Sequence, residues 1–424
     1  MLYSKSIITG IILGSLLFIS CGIFGSDGGD ELPGAPGEII WSVDHKKTQT
    51  VSTQPLIDDD RVFVLHDGFL RAYELKTGDL IWSQTLFTNG KTRIFMLNLL
   101  KDEEFVYIDW GFSFAAFSKE NGNRRWITNY TTDGRDFSGT GGARMSMDDS
   151  YLYLPRNRKV LKADKTTGNI VLEFSLLSRV PDGIVQGATE TLVSPSGDEF
   201  LYVATGMWDT TGEQDMLRGN LFAFNKHSGE IIWAYTPPNR VKATPDFEAD
   251  SVLVASHLLE IDVLDEFIYA SGGPLVMKLN RHTGQKEWIW PIKSIRFAGA
   301  TGTGNTVDSS NEGMTVDETG IYMATVDGFA IKFNLENGSE IWRTDIKFTQ
   351  EGIITLSNDK LYFTNNGGGE IWVLDKMSGE VVFNALPPGF ETNRNDVYLS
   401  SLGVGNGFLV NTGAMRVYAL RSFE

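Results

Sequence analysis

Side chains able to do acid–base, nucleophilic or metal chemistry are few in this chain and poorly spaced for it. Five histidines occur, His45, His66, His227, His257 and His282, and no two stand at the i, i+4 spacing of a zinc ligand pair. His227 and His282 fall two residues before a glycine of a repeated motif, where other copies carry Lys76, Glu120 and Met377. A position that varies so freely reads as a solvated turn. Carboxylates gather at Asp246, Glu248 and Asp250, and again at Asp308, Glu312, Asp317 and Glu318. Oxygen ligands suit calcium, but neither run has the alternating spacing of a calcium loop. Asp58-Asp59-Asp60 and Asp148-Asp149 each precede a β-rich run and read as hairpin tips. The chain has no G-x-S-x-G elbow, phosphate loop or H-E-x-x-H motif, and Gly302-Thr303-Gly304 lacks the helix that phosphate binding needs. These residues point to no catalytic site, no metal and no cofactor.

The one thiol has a different chemistry open to it. Lys5 precedes an apolar run from Ile7 to Ile19, and Ser20-Cys21 follows. The run is short for a membrane span and has the layout of an export signal. The segment LFISC resembles a bacterial lipobox, in which a small residue precedes a cysteine that becomes lipid-modified, although Phe18 stands where Leu is usual. Residues 1–20 are therefore expected to be a lipoprotein signal peptide and Cys21 the lipid attachment site. Residues 21–36, rich in Gly, Asp and Pro, read as a flexible tether. Its 16 residues would reach roughly 50 Å when stretched. The net charge of −17 argues against nucleic acid or anionic lipid surfaces as general partners.

What must position any function is a repeat. A glycine followed four residues later by a large apolar side chain occurs eight times: Gly37–Trp41, Gly78–Trp82, Gly122–Trp126, Gly168–Leu172, Gly229–Trp233, Gly284–Trp288, Gly338–Trp342 and Gly379–Phe383. A motif recurring every 40–60 residues or so marks a propeller or solenoid. Between copies run short β-rich segments, such as Arg61–Leu65 and Phe69–Tyr73, separated by turn residues. This is the pattern of an antiparallel meander. The motif tryptophans, Trp41, Trp82, Trp126, Trp233, Trp288 and Trp342, suit packing between neighbouring sheets, because Leu172 and Phe383 substitute for them. The last copy, Gly407–Leu420, lacks its Gly-x-x-x-Trp strand, and the orphan Gly37–Trp41 fits that vacancy. Pairing the two would close the ring and remove a sheet edge. The pattern thus predicts an all-β, eight-bladed β-propeller over residues 37–424, its last blade completed by the N-terminal strand.

The copies LKADKTTGNIVL, RAYELKTGDLIW, FAFNKHSGEIIW and VLDKMSGEVVF resemble the repeat of the quinoprotein (pyrroloquinoline-quinone-like) β-propeller superfamily. The superfamily includes quinone-dependent alcohol and sugar dehydrogenases, many with an adjacent cysteine pair that this chain lacks. Lipobox, tether, eight copies and missing catalytic signatures together are most similar to the BamB-type lipoproteins of the outer-membrane β-barrel assembly machinery. That resemblance implies a non-catalytic, monomeric scaffold at the periplasmic face of the outer membrane, docking onto a protein partner and needing no cofactor. Two alternatives stay open: another envelope lipoprotein binding a protein or glycan, and a quinone-dependent dehydrogenase.

Copies four to six carry long insertions at Gly206–Gly219, Pro237–His257 and Phe297–Gly313. Long loops on a rigid scaffold are where binding concentrates. Met207, Trp208, Tyr235 and Arg240 are the candidate partner-binding residues, since Trp, Tyr and Arg dominate interface hot spots.

Overall fold

The computed structural model describes residues 34–45, 53–66, 68–86, 99–110, 113–130, 144–156, 159–176, 191–196, 199–209, 216–237, 240–241, 252–254, 260–272, 275–291, 306–307, 311–325, 328–346, 354–365, 369–388, 398 and 400–424. The folded unit spans Gly34–Glu424. The expected signal peptide, Cys21 and most of the expected tether lie outside the described residues.

Each β-rich run becomes a strand, and consecutive strands pair as antiparallel sheets of four. Blade 1 is Leu56–Asp58, Arg61–His66, Phe69–Glu74 and Leu80–Thr85, from inner to outer strand. Blade 2 runs from Leu100–Lys101 to Arg124–Asn129 and blade 3 from Ser146–Met147 to Ile170–Ser175. Blade 4 runs from Thr191–Ser196 to Ile231–Tyr235 and blade 5 from Glu260–Leu264 to Lys286–Pro291. Blade 6 runs from Asn311–Asp317 to Glu340–Asp345 and blade 7 from Thr355–Leu356 to Val381–Ala385. Blade 8 takes Gly403–Gly405, Phe408–Thr412 and Arg416–Arg421 from one end of the sequence and Ile39–Asp44 from the other.

That composite blade is the expected closure. Trp41 lies opposite Ala419, Ser42 opposite Tyr418 and Val43 opposite Val417. The seam continues past the strand: Gly37 N–H donates to the Arg421 carbonyl and Arg421 N–H to the Glu38 carbonyl, both at 2.9 Å.

The two middle strands of each blade are sandwiched by neighbouring blades and are almost wholly buried. The outer strand turns one side to solvent, as Leu80–Thr85 does with Trp82 inward; a register shift opposite Ala72 and Tyr73 leaves both Leu80 and Ile81 outward. The core is therefore a circle of interblade clusters. One joins Phe63, Leu65 and Trp82 of blade 1 to Val106 and Ile108 of blade 2.

The motif glycine makes this packing possible. Gly78 and Gly122 sit at φ of +77° and +71°, where L side chains are disfavoured. A Cβ on Gly122 would come within 2.7 Å of the Trp82 ring. Each outer-strand ring thus caps the glycine turn of the next blade. Phe383 of blade 7 does so over Gly37 of blade 8, and Leu172 of blade 3 lies more loosely over Gly229.

Candidate functional site: the insertion face

The meander sorts its connections onto two faces. Turns from first to second strand and from third to fourth lie on one face. Turns from second to third strand and crossings between blades lie on the other; Leu86 N–H bonds the Gly68 carbonyl across this second face at 2.9 Å. All three insertions belong to the second face and to adjacent blades.

The blade 4 insertion differs in form from the loop that its composition suggests. Strands Phe200–Asp209 and Met216–Asn225 run on through it, pairing Gly206 with Gly219, Met207 with Arg218, Trp208 with Leu217 and Asp209 with Met216. The inner strand of the blade is in register only to Thr205, and the outer strand only to Leu221. The ribbon therefore extends four residue pairs beyond the blade, on the order of 13 Å at strand rise.

The other two insertions meet. Arg240–Val241 and Val252–Val254 pair antiparallel, and Val252–Val254 pairs parallel with Thr306–Val307. This small third element joins the blade 4–5 crossing to the blade 5–6 crossing.

The candidate residues are thereby distributed. Met207 and Trp208 lie in the ribbon, Arg240 in the accessory sheet opposite Leu253, and Tyr235 at the end of blade 4's outer strand. Tyr235 is half-buried against the blade 4–5 cluster, and desolvation raises its phenol above the ordinary value. The motif tryptophans are elsewhere, at the blade seams.

Beneath the insertions the inner strands carry charges that sequence spacing did not mark. Arg144, just before blade 3, holds Glu260 of blade 5 with two bonds, Nη2–Oε1 at 2.8 Å and Nη1–Oε2 at 3.1 Å. Asp262, two residues on, accepts the Val316 N–H of blade 6 at 2.9 Å. Desolvation pushes the Asp262 carboxyl up to about 6, against the Val316 amide, the Thr315 hydroxyl and the Arg144 charge, which lower it. On the same face Arg156 and Asp109 form a buried two-bond pair at 2.7 and 3.2 Å. The His66 and His45 rings lie with centroids 3.7 Å apart, tilted by 36°. Desolvation, then the His45 and Arg71 charges, push His66 down to about 2.

The opposite face is one of tight turns. Between blades 1, 2 and 3 it has clefts of 450, 590 and 690 Å³. Asp58, Glu103, Glu104 and Asp149 are among the residues that line them. Asp58 and Asp148 do sit at hairpin ends, and they also reach across seams. Asp58 pairs with Lys101 and with Lys119 of blade 2, the latter at 2.6 Å, and Asp148 pairs with Lys226 of blade 4 at 3.0 Å. Asp317 is likewise taken, by Lys376 at 2.8 Å. Among the described residues no group of three or more His, Cys, Asp or Glu is placed to hold a metal ion. The first carboxylate run, Asp246 to Asp250, and Asp308 lie outside them.

Known proteins share this architecture. The BamB crystal structure from Moraxella catarrhalis superposes with a TM-score of 0.59 at 15% identity, covering 90% of this chain and 99% of that one. The quinohemoprotein alcohol dehydrogenase from Comamonas testosteroni gives 0.64 at 11% identity, covering 90% and 76%. A europium-containing methanol dehydrogenase gives 0.62 at 12% identity, covering 90% and 93%. At such identities the likeness is one of fold alone. No curated protein matches the chain significantly in sequence. Residues 32–183, 185–294 and 273–422 match the family described as outer membrane protein assembly factor BamB, which takes in nearly the whole propeller. The chain belongs to that family.

Proposed function

We propose that this propeller is a non-catalytic, lipid-anchored scaffold of the bacterial envelope that holds a protein partner on its insertion face. It would sit at the periplasmic side of the outer membrane, fixed through Cys21, and act as a monomer in assembling β-barrel proteins. The observation that carries the reading is the gathering of all three insertions on one face of blades 4–6, two of them knitted into an accessory sheet. A rigid ring with an elaborated sector offers a partner a pre-ordered surface at small entropic cost. Family membership supports the assembly role.

Crosslinking in intact cells tests it. Capture of a barrel-insertion protein through Met207, Trp208 or Arg240 is expected, and it should be lost when residues 207–218 are replaced by an Asn-Gly turn closing the hairpin at Gly206 and Gly219. Capture of another envelope protein or a glycan through those positions would favour the broader lipoprotein reading. Dye reduction on adding the quinone, calcium and an alcohol would replace both with a dehydrogenase. Cys21→Ser should move the protein from membranes to the soluble fraction; retention through a high-salt wash would sink the anchor.

A further inference from the structure

In sequence, both strands of the accessory sheet's parallel pair stand a few residues before inner strands of the ring. Val252–Val254 precedes the blade 5 strand that begins at Glu260, and Thr306–Val307 precedes the blade 6 strand that begins at Asn311. The parallel pairing itself is two residues long, Leu253 with Thr306 and Val254 with Val307. So short a ladder cannot fix its own register. The loss of chain freedom on forming it depends on how firmly the two roots are already held.

The inner strand of blade 5, which carries the first root, is held by three charged side chains. Glu260, 6% exposed, is gripped by Arg144 from blade 3, across the inner edge of blade 4. Asp262, on the same strand, takes the Val316 amide of blade 6 at 2.9 Å. A two-bond arginine–carboxylate pair fixes orientation as well as distance. The inner strand of blade 5 is thus fastened on one side to blade 3 and on the other to blade 6. Gln54 makes a comparable reach across blade 8 to Thr355 of blade 7 at 3.1 Å, but without charge; the charged fastenings of Glu260 and Asp262 fall in the sector that bears the insertions.

We propose that Arg144, Glu260 and Asp262 form a strap that sets the accessory sheet in place, making Arg144 and Glu260 positioning residues for the insertion face. The strap serves binding only if the insertion face is the docking face, as proposed above. Its mechanical effect can be read without any partner.

Hydrogen exchange on the full-length protein is that reading. Glu260→Gln should speed exchange at Leu253, Val254 and Val307 by about tenfold, as local opening no longer works against the strap. The Val62–Leu65 amides of blade 1 and the Leu361–Phe363 amides of blade 7 should not change. Reversing the pair, Arg144→Glu with Glu260→Arg, should recover most of the protection. Should Glu260→Gln fail to fold, Arg144→Lys keeps the charge, loses the two-bond fork and should give a smaller effect at the same amides. Unchanged exchange at the accessory strands in these variants would overturn the strap. So would equal acceleration at all the amides, which would show a general brace instead. Faster exchange at the accessory strands with unchanged partner capture would bear on the docking reading and leave the strap standing.

Discussion

The Trp41 indole donates from Nε1 to the Leu75 carbonyl at 2.7 Å, across a blade boundary and 34 residues of sequence. Trp82 repeats the bond to Lys119 at 3.0 Å, Trp126 to Lys165 at 2.9 Å and Trp233 to Arg281 at 3.0 Å. The accepting carbonyl always lies three residues before the glycine that the ring covers. Packing and hydrogen bond thus act on one turn, and in Trp41 they fasten the strand that closes the circle. Trp41→Ala should cost about 3–5 kcal/mol through the lost ring volume. Trp41→Phe, which keeps most of the packing, should cost closer to 1 kcal/mol for the missing bond. Urea denaturation measures both, and equal losses in the two variants would mean that the ring's volume does not matter at this seam.

Blade 3 solves the same problem with different atoms. Leu172 replaces the tryptophan, and the Lys226 carbonyl is reached instead by Lys162 Nζ at 2.8 Å. Lys162 lies opposite Leu172, where blades 1, 2 and 4 have alanine opposite tryptophan. Lys162→Ala should therefore cost roughly 1–3 kcal/mol by stripping a buried carbonyl of its donor. Adding Leu172→Trp should restore most of that loss by rebuilding the arrangement of the other seams. A double-mutant cycle checks the coupling, and simple additivity of the two changes would refute it.

At the seam between blades 5 and 6 the roles split again. The Leu335 carbonyl is taken by Lys278 Nζ at 3.1 Å, and Trp290, two residues beyond the motif tryptophan, bonds the Asn337 carbonyl at 2.7 Å. Among the described residues, the buried Trp288 Nε1 has no hydrogen-bond partner. Trp288→Phe should accordingly cost less than Trp233→Phe, by about 1 kcal/mol. Matching denaturation curves for the two variants would show that the indole bond at Trp233 contributes nothing.

Sequence legibility followed repetition. Gly78, Gly122 and Trp82 could be read because every seam asks the same geometry of the same position, so the pattern rises above any single copy. Closure by Gly37–Trp41 was legible for the same reason, as a copy without a blade. Arg144, Glu260 and Asp262 were not, because they break the repeat; Arg144 and Glu260 meet across 116 residues only once the ring has formed. The ribbon through Gly206–Gly219 was hidden by its glycines, threonines and aspartates, which read as loop. Two-residue strands such as Thr306–Val307 are too short for any periodicity to mark. The double use of Asp148, as hairpin cap and seam partner, could not be seen without its neighbour.

Asp148 also sets an expectation for acid. Its Oδ1 accepts the Ser150 and Tyr151 amides at 3.0 and 2.9 Å, and its Oδ2 accepts Tyr153 Oη at 2.8 Å and Lys226 Nζ at 3.0 Å. Desolvation alone would raise this carboxyl. Lys226, Tyr153 and the two amides outweigh it and hold the group below its ordinary 3.8. Asp58, Asp102 and Asp317 are lowered in the same way by their own lysines and neighbouring donors. A carboxyl depressed in the folded state contributes stability that is present above the unfolded value and lost as pH falls through the folded one. The seams should therefore weaken below about pH 4. Two groups act at higher pH with opposite signs. His66, pushed down to about 2, binds its proton more readily when unfolded, so it removes stability progressively below its ordinary 6.5. Asp262, pushed up to about 6, binds its proton more readily when folded, so it adds stability as pH falls from 6 toward 3.8. In urea midpoints measured from pH 7 to 2.5, Asp148→Asn should flatten the fall below pH 4, and Asp262→Asn should steepen the course between pH 6 and 4. If neither variant changes the shape of its window, these carboxyls do not couple to folding as their surroundings imply.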